Sequence, residues 1–441
     1  MPDTAVTTPE PVWAAFVALD WASQKHAWIL QPADGGKRDE GYVENTPEAI
    51  AVWAADLDRR FGGQPVAVAL EQKRGSVVNL LLAYAHLVLF PVPASMSSSY
   101  RKTFVPSGAK DDPGDAGWIL DLLLRHRNHL RRLDPDEANT RLLLMLVEDR
   151  RLLVDDKTRL ALRLQDCLKQ YFPQLVQWFD VDTALVADLL KRWPDLQHLQ
   201  RCHDGTLRMF FRRHHAGEEL TASRIEAIRA AVPATNDGAV LEACSTKARH
   251  LTESIATLRD QITRLERRRD ELVASHPDSP IFASFPGAGR ATVPRLIAAF
   301  GTRRERYQSA FEVECDTGVA PVHVASGNTD RVSVRHACQK FTRQTFHEFA
   351  GQTIPRCEWA KAYYQAHCHK PQQHHAAVRA LAFKWIRILF RCWKDRKPYD
   401  EQLYLTSLRR RSALVGPALA SATSVGWKTV AGFSKLSEKT S

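Results

Sequence analysis

The chain has 441 residues, 44% hydrophobic and 25% charged, which is too long for one ordinary core and too apolar for wholesale disorder, so two or three globular domains are expected. Its 61 Lys and Arg against 50 Asp and Glu give a formal charge of +11, a surplus that favours polyanion partners. The start, MPDTAVTTPEPVW, has no basic segment leading into an apolar one, and no window approaches the roughly 18 apolar residues of a membrane span, so neither export nor membrane insertion is expected and a cytoplasmic location is.

From Trp13 the run WAAFVALD is strand-like and ends on Asp20; after a polar turn AWIL resumes, the pattern of a hairpin. A second apolar run, PVAVALE, ends on Glu71, and a third, HLVLFPVPAS, leads into a Ser-rich, basic loop over 95–110. SVVNLLLAYA between them has helical length and composition. This alternation of strands and helices predicts an α/β domain. In KDDPGDAGWILDLLL a helix starts, and Asp112 and Asp115, three apart, share one of its faces; Asp111 is a rival for the first position at a spacing of four.

Residues 136–172 read as one long helix stopped by Pro173. Residues 240–274 read as a second, where Leu251, Ile255, Leu258, Ile262, Leu265 and Leu272 are spaced by 4, 3, 4, 3 and 7 residues. That spacing is a heptad seam, expected to form an antiparallel coiled-coil arm or, more plainly, to pack on its own domain. Between them, 174–239 is an inserted helical module with Trp178, Trp193 and the basic stretch MFFRRHHAG, to which the sequence assigns no role.

A new unit is expected from Pro277. FPGAGRA, from Phe285 to Ala291, resembles the hairpin of a helix-hairpin-helix, whose glycines let backbone N–H groups approach a phosphate; the plainer reading is a helix–helix turn. Cys357, His367, Cys368, His369, His374 and His375 fit no four-ligand zinc spacing, and EWAKAYYQAH reads as an amphipathic helix. VRALAFKWIRILFRCW reads as a core helix with a basic edge. Eight scattered cysteines without a C-x-x-C pair suit reduced thiols. Other basic clusters are Arg125-His126-Arg127 with Arg131-Arg132, Arg264 with Arg267-Arg268-Arg269, and Arg409-Arg410-Arg411. The expected division is a flexible 1–12, an α/β domain over 13–135, a coiled coil with its inserted module over 136–276, a further domain over 277–411 and a mobile tail over 412–441.

Four acids carry the candidate chemistry. Asp20 and Glu71 each end an apolar strand, where a buried backbone holds a carboxylate rigidly, and Asp112 and Asp115 face one way from a helix. Taken singly, each is an ordinary turn former or helix cap. Together they would repel unless cations neutralised them; Mg²⁺ prefers such hard oxygen ligands, and two ions serve both oxygens of a phosphoryl transfer.

FVALDWASQKHAWIL, VAVALEQKRGSVVNLLLAYAHLVLFPVPAS, AKDDPGDAGWIL, EDRRLLVDDKTRLALRLQDCLKQYFP and the segment from FPGAGRATVPRLIAAFG to TGVAPVHVASG resemble, in this order, the bacterial insertion-sequence transposases of the IS110 group, also called bridge-RNA-guided recombinases. The resemblance touches most of 13–172 and 281–393. It implies an α/β fold: an RNase H-like (RuvC-like) DEDD nuclease domain, a helical coiled-coil middle, and a small, mostly helical transposase domain bearing a serine. It makes Asp20, Glu71, Asp112 and Asp115 the catalytic metal ligands for Mg²⁺ or Mn²⁺, and it places the serine nucleophile at Ser326, with Ser333 as the second candidate. Where the family has K-T-D-x-x-D-A this chain has KDDPGDA, with Asp111 for the Thr. Where the family continues with I-S-K-R-G, this chain reads RVSVRHACQKF, which keeps Ser333 and Arg335 and loses the Gly.

A serine hydroxyl beside Gly327 could attack a phosphodiester and conserve its bond energy as a phosphoserine link; without the family, Ser326-Gly327 reads as a turn. The resemblance further implies duplex DNA as donor and target, a structured non-coding guide RNA, a homo-oligomer (a dimer, and a tetramer in synapsis) and association with the bacterial nucleoid. Two rival readings are a metal-dependent Holliday-junction-type nuclease without a serine step, and a non-enzymatic basic scaffold for nucleic acid.

Overall fold

The apolar runs of the first 135 residues build a five-stranded sheet. β1 (Ala15–Asp20), β2 (Lys25–Pro32) and β3 (Asp39–Glu44) form an antiparallel meander, and β4 (Val66–Leu70) and β5 (Leu87–Pro91) extend it in parallel from the other edge of β1, giving the order β3-β2-β1-β4-β5. The structure is a computed structural model that describes residues 11–104, 112–326 and 329–414, with the backbone alone at 112–114, 329–330, 409 and 411–414. Asp111, Gly327 and most of the expected flexible ends lie outside the described residues.

Every residue of β4 and β5 is buried, because helices cover both faces of these central parallel strands. One face carries Val17, Leu19, Val68 and Leu70 against α1 (Pro47–Phe61) and α2 (Ser76–Leu81). α1 is delimited by its own sequence: the Thr46 side chain accepts from the Ala49 N–H at 3.2 Å, Pro47 starts the helix, and Gly62 ends it at φ 59°. The opposite face presents Ala18, Ala67 and Ala69, small enough to let α4 (Asp112–His126) seat Ala116, Ile119, Leu120 and Leu123 against the sheet.

Two parts of this unit differ from expectation. Residues 95–104 are not loop: α3 (Ala94–Phe104) is a helix whose Phe104 ring stacks on Trp118 at 5.4 Å and whose Tyr100 hydroxyl donates to Asp121 Oδ2 at 2.5 Å. Tyr100 and Phe104 lie four apart, the helical spacing that the polar run around them concealed. α2 is also one short helix, not the whole of SVVNLLLAYA.

The chain divides into two compact units between Pro135 and Asp136. The second opens with α5 (Ala138–Tyr171), passes through the short helices α6 (Pro173–Trp178), α7 (Ala184–Arg192), α8 (Leu196–Gln200), α9 (Asp204–Arg213) and α10 (Glu218–Ala230), and returns as α11 (Gly238–Ser275). α5 and α11 run antiparallel: Thr140 pairs with His276 at 3.1 Å, Arg150 with Glu266 at 2.6 Å, and the Cys167 thiol donates to the Cys244 carbonyl at 3.4 Å. Ile255, Ile262 and Leu272 of the heptad seam are buried. The seven-residue step between Leu265 and Leu272 spans Arg269, which is 2% exposed and bonds Asp270 at 2.7 Å.

The helix pair joins two cores. At one end Leu164, Leu168 and Ile255 pack with the short helices. At the other, Leu143, Leu146, Val147 and Leu272 enter the core of the C-terminal helices. These are α12 (Ser279–Ala283), α13 (Val293–Phe300), α14 (Ala310–Asp316), α15 (Lys340–Thr353), α16 (Glu358–His367), α17 (His374–Asp395) and α18 (Glu401–Leu414), with the hairpin β6 (Val322–Ser326) and β7 (Thr329–Ser333) after α14. α17 is the expected core helix: its fully buried Trp385 and Trp393 donate their indole N–H groups to Thr353 Oγ1 and the Gly301 carbonyl, each at 2.9 Å. An α/β sheet unit followed by a helical remainder is thus what the chain forms. Among the described residues no helix is long and apolar enough to cross a membrane.

Candidate nuclease centre and serine hairpin

Parallel pairing of β1 with β4 sets Leu19 opposite Leu70. One step further along each strand stand Asp20, the last residue of β1, and Glu71, the first after β4. The register therefore brings these two acids to the same end of adjacent central strands, with Cα atoms about 5 Å apart. α4 crosses β1 and β2 and carries Asp115 in its first turn, with Asp112 as its first residue. The spacing of three puts both on one helix face, although the side chain of Asp112 lies outside the described residues.

Asp115 is neutralised by a cation of the protein itself. Arg101 of α3 donates from Nη1 to Asp115 Oδ1 at 2.5 Å, and both side chains are largely buried, 13% and 20% exposed. The Arg101 Nε is buried without an acceptor among the described residues. Among the described residues no group of three or more His, Cys, Asp or Glu side chains is gathered closely enough to hold a metal. The structure thus brings Asp20 and Glu71 together by register, places Asp115 on the covering helix, and engages Asp115 with Arg101, a residue that sequence reasoning did not single out.

In the second unit Ser326 ends β6 opposite Thr329, and Ser333 ends β7 opposite Val322. The two candidate serines therefore stand at opposite ends of the hairpin, about 13 Å apart along the strands. Ser326 is exposed at the tip and Ser333 is half-buried at the base. The base is tied down: the Arg335 side chain donates to the Ala320 carbonyl at 3.4 Å, and Gly318, at φ 72°, is so close to Cys338 that a Cβ would meet its sulfur.

Glu314 of α14, whose carbonyl accepts from the Ala320 N–H at 2.8 Å, is fully buried, with Oε1 accepting from Arg387 at 2.9 Å and Oε2 without a partner among the described residues. Burial pushes its carboxyl up to about 7, against the opposing pull of Arg387.

The FPGAGRA turn joins α12 to α13. Gly287 is required there: its φ is 78°, and a Cβ would lie 2.7 Å from the Gln352 carbonyl oxygen. Gly289 has open space, and Arg290 is held by Asp270 of α11. EWAKAYYQAH forms α16 as expected. His374 Nδ1 is bonded to the Tyr364 hydroxyl at 2.8 Å, and no zinc constellation exists among the described residues.

Residues 17–173, which include all four candidate acids, match the DEDD model for IS110 elements, described as a transposase. Residues 279–365, which include Ser326, match the Transposase IS116/IS110/IS902 family. The chain belongs to the IS110 family of transposases. It has relatives along nearly its whole length: it is 24% identical over 408 residues to the IS117 mini-circle putative transposase of Streptomyces coelicolor, covering 90% of this chain and 98% of the relative. It is 24% identical over 401 residues to the insertion element IS110 protein of the same species, covering 88% and 96%. It is also 30% identical over 206 residues to the y4uE protein of Sinorhizobium fredii, covering 45% and 56%. The inserted module and α11 fall between the two matched segments of this transposase.

Proposed function

We propose that this IS110-family transposase cuts and rejoins DNA with a RuvC-like metal centre, formed by Asp20, Glu71, Asp112 and Asp115, and a serine nucleophile, Ser326. The observation that carries the reading is the β1–β4 register, which sets Asp20 beside Glu71 under a helix bearing the other two acids. An antiparallel meander extended by parallel strands, in the order β3-β2-β1-β4-β5, is the sheet that an RNase H-like centre uses. The donor set is all carboxylate oxygen, which suits Mg²⁺ or Mn²⁺, and the Arg101–Asp115 pair is consistent with a centre that requires positive charge.

Asp20, Glu71, Asp112 and Asp115 would hold the ions, which would supply charge neutralisation at the scissile phosphate. Arg101 would exchange its hold on Asp115 for the approaching phosphate as the metal takes its place. Ser326, exposed at a hairpin tip, reaches a bulky polymer in a way that half-buried Ser333 does not. Its Oγ bonds to phosphorus as the bridging P–O bond breaks, and the departing strand end takes up a proton as a hydroxyl. Attack by a hydroxyl of another strand reverses the step, so the number of phosphodiesters is conserved. A structured guide RNA and an oligomeric assembly complete this reading by resemblance, and the turn chemistry at Pro277 supports a subdivision of the second unit at 276/277.

The test is cleavage of duplex DNA carrying the ends of the element, with Mg²⁺ present. Asp20→Asn and Glu71→Gln should each lower the rate by at least about 100-fold while the thermal melt is kept, in line with loss of a phosphate-activating metal ligand. Undiminished cleavage by either variant removes the carboxylate centre.

A further inference from the structure

We propose that α15 and the start of α17 form a phosphate-binding face, built from Arg343, His347, His374, His375 and Arg379, that grips the backbone of a nucleic acid beside the base of the serine hairpin. Arg343 and His347 lie four apart on α15, and His375 and Arg379 lie four apart on α17, so each pair occupies one helix face, and the two helices pack together. The His347 and His375 rings are 5.3 Å apart, and His374 and His375 are 5.0 Å apart. Arg343 donates to the Arg335 carbonyl at 3.0 Å, which fixes the face to the segment that leaves β7.

The charge balance points to an anion. Among the described residues neither half-buried guanidinium has a carboxylate in ion-pair reach: Arg343 bonds only that carbonyl, and Arg379 only the His375 carbonyl at 3.3 Å. Glu348, the acid that acts on His347, is committed to Arg295 of α13 and, at 2.6 Å, to Gln344. Beyond it stands Arg151 of α5, which engages Asp155, and Lys340 opens α15. Like charges are thus assembled without a counterion, an arrangement that costs free energy until an anion binds.

His347 is depressed by burial and then by His375, Arg379 and His374, and Arg379 by burial and Arg343. A bound phosphate offsets the repulsion among these cations and favours the protonated imidazole of His347, so binding takes up a proton and tightens as pH falls. The partial positive charge at the start of the 22-residue α17 acts in the same direction.

Only the choice of polymer rests on the transposase reading, and the test separates the two because it reads binding in EDTA, where metal-dependent cleavage does not run. Affinity of the full chain is measured for labelled duplex DNA and for an RNA hairpin, across salt and between pH 6 and pH 8. Arg343→Gln with Arg379→Gln should weaken binding about tenfold or more and lower the salt slope by about two, whereas the paired Lys replacements should retain most of both. His347→Gln with His375→Gln should abolish a wild-type gain of about fivefold from pH 8 to pH 6. An effect on one polymer alone assigns the face to that polymer. The proposal is overturned if the Gln pair binds both polymers within about twofold of wild type. It is equally overturned if neutralising the exposed Arg59 and Arg391 does as much, or if the pH gain survives in the histidine variant, a readout that stands even where the arginine variant fails to fold.

Discussion

The Glu314 carboxyl is shut off from solvent and, among the described residues, is ion-paired with Arg387. Because burial pushes this carboxyl up to about 7 from an ordinary 4.5, the folded chain holds its proton over a range in which the unfolded chain has lost it. Stability must then fall as pH rises from about 4.5 to about 7, since the folded state binds more protons there. Glu314→Gln keeps the bond to Arg387 and removes that fall: denaturation should show the variant level with wild type at pH 4.5 and ahead by roughly 1–3 kcal/mol at pH 8. A parallel pH dependence in both proteins would show that Glu314 ionises freely. The turn glycines make a second contrast, since Gly287→Ala should cost roughly 2–4 kcal/mol and Gly289→Ala almost nothing, both read from melting midpoints. At this scale Asp20 and Glu71 were legible because an acid closing an apolar strand is conspicuous. Glu314 and Arg101 were not: a Glu in AFEVECD and an Arg in SSSYRKTF look solvated, and only packing makes them buried.

Among the elements, α11 shows most clearly what periodicity conveys and what it hides. Its spacing announced a seam, and Ile255, Ile262 and Leu272 are buried along it. The break in that seam concealed a charge at a core position, Arg269, bonded to Asp270 while Glu266 engages Arg150 of α5. A buried ion pair contributes little net stability compared with an apolar side chain of similar volume. Because Asp270 keeps Arg290 as a partner and Glu266 keeps Arg150, removing Arg269 strands neither acid, so Arg269→Leu should be neutral or stabilising by up to about 2 kcal/mol, whereas Ile262→Ala should cost about 2–4 kcal/mol; urea midpoints decide, and a large loss in Arg269→Leu would mean that the charge itself fixes the register of α5 on α11. The helix α3 and the edge strand β3 were hidden for a related reason. DEGYVE has charged residues at an exposed sheet edge, and α3 shows its pattern only through Tyr100, Phe104 and their partner Trp118.

For the whole molecule, the sheet unit and the helical remainder followed from alternation and long apolar periodicity, but the way α5 and α11 join two separate cores did not, since it depends on contacts more than 100 residues apart, such as Thr140 with His276 and Arg150 with Glu266. The two halves of the proposed chemistry lie in different compact units, so their cooperation is the central claim. It is tested most directly by trapping the proposed strand-transfer intermediate: the full chain is incubated with Mg²⁺ and duplex DNA bearing the ends of the element, with and without the non-coding RNA proposed as its guide, then denatured and examined for protein joined covalently to DNA. The wild type should give a linked species whose peptide maps to Ser326, with none from Ser326→Ala or Asp20→Asn. A linked species of undiminished yield in Ser326→Ala, or strand exchange by that variant at the wild-type rate, contradicts it.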